Sequence, residues 1–382
     1  MILRLTGARV LAAGLVAAVL GLAVAWSGVV NISASSGHWA VTDWFLHWAM
    51  RNTVRTYAAL TVDAETGNLP ADSARLVSAA GHYAAQCSVC HGAPGEQPSP
   101  VIQAATPAPP DLARTAGSWN GRQLFWIVKH GIKFTAMPAW PVQDRDDEVR
   151  QMAAFVAKLP GMSAEEYRRL AYGENGVVLT GKVKRLEDVL PDCNRCHADD
   201  GRGQPDIPAL AAQKPAYLKE ALHAFASGRR SSAVMTAAAA RLDDELIDAL
   251  AQHYAGLPRG QGREPRETAA AGGSEAGPAT EPAAALAADV VARGLPELNL
   301  PACSRCHAPG KRPGYPVLDG QKAHYMANRL RNWRGDPAVV DARKPSDQMP
   351  MIARRIPEEL IEPLARHFAS RPPPQRDSAI AR

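Results

Sequence analysis

Cys87-Ser-Val-Cys90-His91, Cys193-Asn-Arg-Cys196-His197 and Cys303-Ser-Arg-Cys306-His307 place two thiols and an imidazole on consecutive turns of chain, three times in 382 residues. All six cysteines are used in these motifs. Two intervening residues set the thiols at i and i+3, and the His at i+4 from the first Cys shares their face of a helical turn. A redox dithiol or half a zinc site also begins with Cys-x-x-Cys. Neither requires the following His, and a zinc site needs more ligands than one pair supplies. Successive pairs here lie 106 and 110 residues apart. The spacing is that of covalent haem c attachment. Cys87, Cys90, Cys193, Cys196, Cys303 and Cys306 are the expected thioether residues. His91, His197 and His307 are the expected proximal iron ligands, imidazole being a standard haem ligand.

The second axial ligand decides what a haem can do. An open distal side admits oxygen or peroxide, whereas a methionine closes the iron and raises its potential. Met137, in "GIKFTAMPAWP", follows His91 by 46 residues, and Pro138 and Pro141 keep it out of regular helix. Met235 follows His197 by 38 residues, and Met349 follows His307 by 42, with Met351 as the rival. Met152, Met162 and Met326 read as core packing. His82, His130, His223, His253, His324 and His367 read as surface or core side chains, with His223 the best substitute for Met235.

These side chains need elements to hold them. "RLDDELIDALAQHYAG" at 241–256 aligns without gaps to "RIPEELIEPLARHFAS" at 355–370, and "LAAQKPAYLKEAL" at 210–222 resembles "LDGQKAHYMANRL" at 318–330. The apolar positions recur at helical spacing behind an acidic first turn. Each unit reads as a Cys-x-x-Cys-His helix, a loop, one or two middle helices, a Met-bearing loop and a closing helix. The fold class is therefore all-α, with units at 72–172, 174–258 and 285–371 and a tail at 372–382. Residues 259–284, "GQGREPRETAAAGGSEAGPATEPAAA", lack large apolar side chains and read as a flexible linker that lets the third unit swing as a shuttle head.

Residues 1–31 form an apolar segment behind Arg4 and Arg9, with Val10–Val30 free of charge. Its length fits a transmembrane helix with the N-terminus cytoplasmic and the remainder exported. A leader cleaved after "AVA" at 23–25 is the competing reading, and either one exports the chain. In the juxtamembrane stretch 32–71, Trp39, Trp44, Phe45 and Trp48 suit the headgroup level. The net charge of +5 provides no dense basic stripe for nucleic acid. Residues 286–382 carry 16 Lys/Arg and 10 Asp/Glu, a basic head suited to an acidic partner.

The exported part resembles class I cytochrome c domains. "CSVCHGAPG", "PAPPDL" and "LFWIVKHGIKFTAMPAW" resemble membrane-anchored single-haem cytochromes c, and the later units resemble the two halves of two-haem cytochromes c. The resemblance implies small helical domains, three covalent haems and His/Met ligation. It implies an electron carrier in the bacterial inner membrane with periplasmic haem domains. Such a carrier would link a quinol- or dehydrogenase-side donor to a terminal oxidase in a respiratory chain. The alternatives are the cytochrome subunit of a periplasmic dehydrogenase complex, and a haem enzyme or gas sensor. No catalytic constellation such as G-x-S-x-G or H-E-x-x-H is present, so the chain is expected to transfer electrons and not to be an enzyme by itself.

Overall fold

The computed structural model describes residues 6–33, 36–70, 76–173, 184–258, 281–308, 313–335 and 348–373. Regular structure among them is helical, with isolated β-bridges at the turns after each haem motif or just before it. The segments 259–280 and 374–382, and with them most of the expected linker and tail, lie outside the described residues.

The first helix, α1 (Gly7–Trp26), is long and apolar enough to cross a membrane, and none of its residues is buried. It is followed by α2 (Ala40–Thr61). Trp44, Phe45 and Trp48 on α2 are exposed, while Val54 and Ala58 are buried against the first unit. Tyr57 meets Trp126 at 6.0 Å and Arg51 lies 5.1 Å from the Trp119 ring, so α2 is partly a component of that unit.

Unit one contains α3 (Val77–Gln86), α4 (Ser88–His91), α5 (Pro100–Gln103), α6 (Leu112–Thr115), α7 (Gly121–His130), α8 (Asp146–Lys158) and α9 (Ala164–Tyr172). Asn120 and Gln123 form a reciprocal capping box at the start of α7, and Ser163 caps α9. Tyr83, Phe155 and Tyr167 pack ring against ring at 5.3 to 6.4 Å in a core of 22 buried residues. His82 lies in that interior, 5.1 Å from the Trp140 ring, and burial pushes its pKa down from 6.5 to about 4. As pH falls, the unfolded chain therefore takes up this proton before the folded chain does. Between pH 7 and pH 5 this group alone should cost the fold ~2 kcal/mol, a share expected to be absent from the pH dependence of the His82→Gln denaturation midpoint.

Unit two is α10 (Leu186–His197), α11 (Pro215–Ala226), α12 (Ala233–Ala239) and α13 (Asp244–Gly256). Its contiguous apolar cluster holds 7 buried residues, the smallest of the three clusters. Unit three is α14 (Glu281–Arg293), α15 (Ser304–His307), α16 (Ala323–Arg334), α17 (Gln348–Ala353) and α18 (Glu358–Ser370), around 12 buried residues. Helix α14 begins inside the segment assigned to the linker, because Glu281 and the alanines after it form its first turn.

Units two and three meet through reciprocal glutamine contacts. Gln213 Nε2 donates to Val317 O (3.1 Å), and Val317 N donates to Gln213 Oε1 (2.7 Å). In return, Ala209 N donates to Gln321 Oε1 (2.8 Å), and Gln321 Nε2 donates to Ala209 O (3.0 Å). Both glutamines are buried. Tyr325 N also donates to Pro205 O, and Asn332 Nδ2 donates to Asp147 of unit one at 3.0 Å. The expectation of a freely swinging third unit is therefore corrected. These hydrogen bonds are buried or half-buried, and separation would leave the groups unpaired.

Candidate functional site

Each haem motif closes one helical turn. His91 N donates to Cys87 O (3.0 Å) and His307 N to Cys303 O (3.0 Å), while the second motif completes α10. The two thiols and the imidazole of each motif thus share a turn, as the spacing predicts. Tyr83 Oη donates to Gly92 O (2.7 Å), fixing the loop after the first motif, and Tyr254 Oη donates to Asn194 Oδ1 (2.6 Å) within the second.

The three imidazoles are held alike. His91 Nδ1 contacts Pro110 O at 2.8 Å, His197 Nδ1 contacts Pro208 O at 3.1 Å, and His307 Nδ1 contacts Pro316 O at 3.1 Å. A proton on Nδ1 leaves Nε2 as the free lone pair, the arrangement that orients a metal-ligating histidine. Burial lowers the pKa of all three rings, so each is neutral and able to ligate. The motif reading included Pro110 within "PAPPDL" but gave none of the three prolines a role. The available signal was a shared Pro-x-Leu: Pro110-Asp111-Leu112, Pro208-Ala209-Leu210 and Pro316-Val317-Leu318.

Burial pushes the Cys87 and Cys193 thiols up to about 12 and Cys303 to about 11, and also raises Cys196. Among the described residues no three His, Cys, Asp or Glu side chains converge as a metal cluster. The donor set fits haem instead: paired thiols beside one oriented imidazole. Buried Trp140 Nε1, three residues after Met137, has no partner among the described residues and is a donor that a haem carboxylate would satisfy.

The methionines lie on the elements that close each unit. Met137 occupies a loop folded back on the end of α7, where Ile132 N donates to Met137 O (3.2 Å) and Trp140 N to Lys129 O (3.0 Å). Gly131 ends α7 at φ 64°, and a Cβ there would sit 2.5 Å from the Pro138 backbone, so glycine is what lets this loop close. Met235 lies on α12 and Met349 on α17, short helices where a loop was expected. Ser232 caps α12, and Pro350 is tolerated in the first turn of α17. Met349 is half-buried and Met351 is 44% exposed. Met152, Met162 and Met326 are buried in the cores. His223 lies 3.8 Å from Asp244, and His324 pairs with Asp206.

The residue after each motif differs among the units. Gly92 adopts φ 62°, ψ −171°, Ala198 adopts φ 63°, ψ 156°, and Ala308 is ordinary at φ −64°, ψ 149°. Ala198 therefore occupies a conformation that only glycine enters without strain. Ala198→Gly is expected to stabilise the chain by about 1 kcal/mol, net of glycine's larger unfolded-state entropy, read as a raised denaturation midpoint.

Residues 74–156 match the family described as cytochrome c oxidase, cbb3-type, subunit III. The chain is 34% identical over 183 residues to the thiosulfate dehydrogenase electron acceptor of Stutzerimonas stutzeri (strain A1501), covering 47% of this chain and 78% of that protein. It is 30% identical over 182 residues to cytochrome c4 of Thiocapsa roseopersicina, covering 46% and 85%. Among solved structures, thiosulfate dehydrogenase from Marichromatium purpuratum in its as-isolated form is 32% identical, with a TM-score of 0.38, over 47% of this chain and 36% of that one.

Proposed function

The chain belongs to the multihaem class I c-type cytochromes and transfers electrons, and we propose that it does so with three haems carried on three contiguous units. The observation that carries this reading is the threefold repeat of an imidazole held through Nδ1 by a proline carbonyl beside two half-buried thiols. Bound haem iron supplies the one-electron redox change. The chain's own residues tether, orient and enclose it: the six motif cysteines as thioether residues, His91, His197 and His307 on one side, Met137, Met235 and Met349 on the other.

The contacts between units support transfer along the chain. Arg195, inside the second motif, packs against Gly81 and donates to Ala171 O, so α10 sits on unit one beside the helix that leads into Cys87. The Gln213/Gln321 contacts join the peptides next to the carbonyls that hold His197 and His307, which supports transfer between units two and three. Helix α1 supports a membrane tether, with unit one nearest the bilayer through α2 and the haem units on the periplasmic side. The basic excess of the third unit is partly used internally, since Arg331 and Arg334 pair with Glu358 and Glu362, and Arg371 with Asp319.

A second reading is favoured by the relatives' names: the chain accepts electrons from a dehydrogenase in a standing complex, thiosulfate being the donor substrate named for those relatives. Isolation from the native membrane with mass spectrometry separates the two. A stoichiometric large redox subunit supports the complex, and none supports the independent carrier. A polypeptide mass lacking bound porphyrin overturns both. Carbon monoxide should bind little to the reduced protein, and extensive binding would point to an open haem enzyme or sensor.

A further inference from the structure

We propose that each of the two later units sets the axial imidazole of the other through a shared peptide group, so that Gln321 tunes the unit-two haem and Gln213 the unit-three haem. This rests on His197 and His307 being the proximal ligands.

The geometry is reciprocal. Pro208 C=O, which holds His197 Nδ1 at 3.1 Å, belongs to the same peptide group as Ala209 N–H, which donates to Gln321 Oε1 at 2.8 Å. Pro316 C=O, which holds His307 Nδ1 at 3.1 Å, shares its peptide with Val317 N–H, which donates to Gln213 Oε1 at 2.7 Å. The path runs from the glutamine of one unit, through one peptide, to the imidazole of the other. Each glutamine acceptor is also fixed from behind, by Lys214 N at 3.2 Å and by Lys322 N at 2.9 Å. All four peptide-bridging residues, Ala209, Gln213, Val317 and Gln321, are buried, so water does not compete for these bonds.

The chemistry follows from hydrogen-bond polarisation. An acceptor on an amide N–H pushes electron density onto the carbonyl of that peptide. A more basic carbonyl draws the Nδ1 proton more strongly, which makes the imidazole a better donor to iron and favours the oxidised state. Removing the glutamine acceptor should therefore raise the potential of the haem in the opposite unit. Unit one provides the internal comparison, because Asp111 follows Pro110 there and its side chain caps α6.

The test uses the full holo chain, with three haems confirmed by mass. Gln321→Met and Gln213→Met keep side-chain length and remove the acceptor. Gln321→Met is expected to shift the unit-two redox equilibrium by about threefold, or ~28 mV upward at 59 mV per tenfold, with a smaller change in unit three. Gln213→Met should give the mirror pattern. The Nδ1 protons of His197 and His307, followed by ¹⁵N-histidine NMR, should show faster exchange in the same crossed order. Gln→Glu at either position keeps an acceptor oxygen and should not raise the facing potential. If the Met variants lose haem, the Glu variants carry the test: an upward crossed shift in them overturns the proposal, and unshifted or lowered facing potentials support it. Equal shifts of both haems, or shifts in the unit that bears the substitution, would overturn it while leaving the haem ligands intact. If His197→Ala and His307→Ala leave axial ligation unchanged, the ligand assignment itself fails, and the proposal with it.

Discussion

Replacing Cys193 and Cys196 together by alanine should lower the haem content from three to two and unfold the second unit, while units one and three retain their own haems. The units differ in how far protein packing alone can hold them. Among the described residues, the contiguous apolar cluster of unit one holds 21 of its own buried residues together with Ala233 of α12, that of unit three 12 and that of unit two 7. A helical unit with so small a core cannot offset its conformational entropy without a staple, a role that a covalent haem fills. Helix α10 also contains Pro191, which removes one backbone hydrogen bond just before the motif. Loss of the thioether anchor therefore falls on the least stable element. Intact mass should report two porphyrins, and limited proteolysis should cut first within 184–258. The equivalent Cys87/Cys90 pair should cost one haem but leave unit one resistant for longer. Equal protease resistance of all units in the Cys193/Cys196 variant would show that packing, not haem, holds unit two together.

The chemistry of the motifs was legible in sequence because it is local. Cys, Cys and His within one turn need no distant partner, and the helices around them carry their own caps and apolar stripes. The repeat in "LAAQKPAYL" and "LDGQKAHYM" was visible too, but not what its glutamines do. Gln321 meets Ala209 across 112 positions, and Asn332 meets Asp147 across 185. Nothing in a periodicity encodes such pairings, which are set by how folded units dock. The same limit explains the shuttle-head expectation. Linker composition gives the reach of a chain, but not the hydrogen bonds formed by the unit at its far end. The short helices carrying Met235 and Met349 were hidden for a different reason. Segments of 7 and 6 residues are too brief for an amphipathic period to register, and one contains a proline.

Glu148→Ala is expected to loosen the distal side of the second haem although Glu148 belongs to the first unit. Glu148 Oε1 accepts from Ser232 Oγ (2.5 Å), and Oε2 accepts from Ala233 N (2.8 Å), the first N–H of the helix bearing Met235. Ser232 Oγ in turn accepts from Met235 N at 3.0 Å, and Arg145 Nη1 bridges Glu148 (2.9 Å) to Ser231 O (2.7 Å). Ala233 is buried in the core of unit one, so the start of α12 is seated in that unit. Truncating Glu148 leaves the Arg145–Asp147 pair with one carboxylate in place of two and frees two donors in a dry interface. Each buried donor left without its acceptor costs roughly 1–3 kcal/mol, so losing both costs several. That is comparable to the whole stability of a small unit, so α12 should detach before the chain unfolds globally. The reduced variant should then bind carbon monoxide at up to one of its three haems, with loss of methionine ligation there. Glu148→Gln can still accept from Ala233 N through one oxygen, so it should fall between the variant and the parent. A Glu148→Ala chain with three closed haems and unchanged stability would show that the contact follows the position of α12 without setting it.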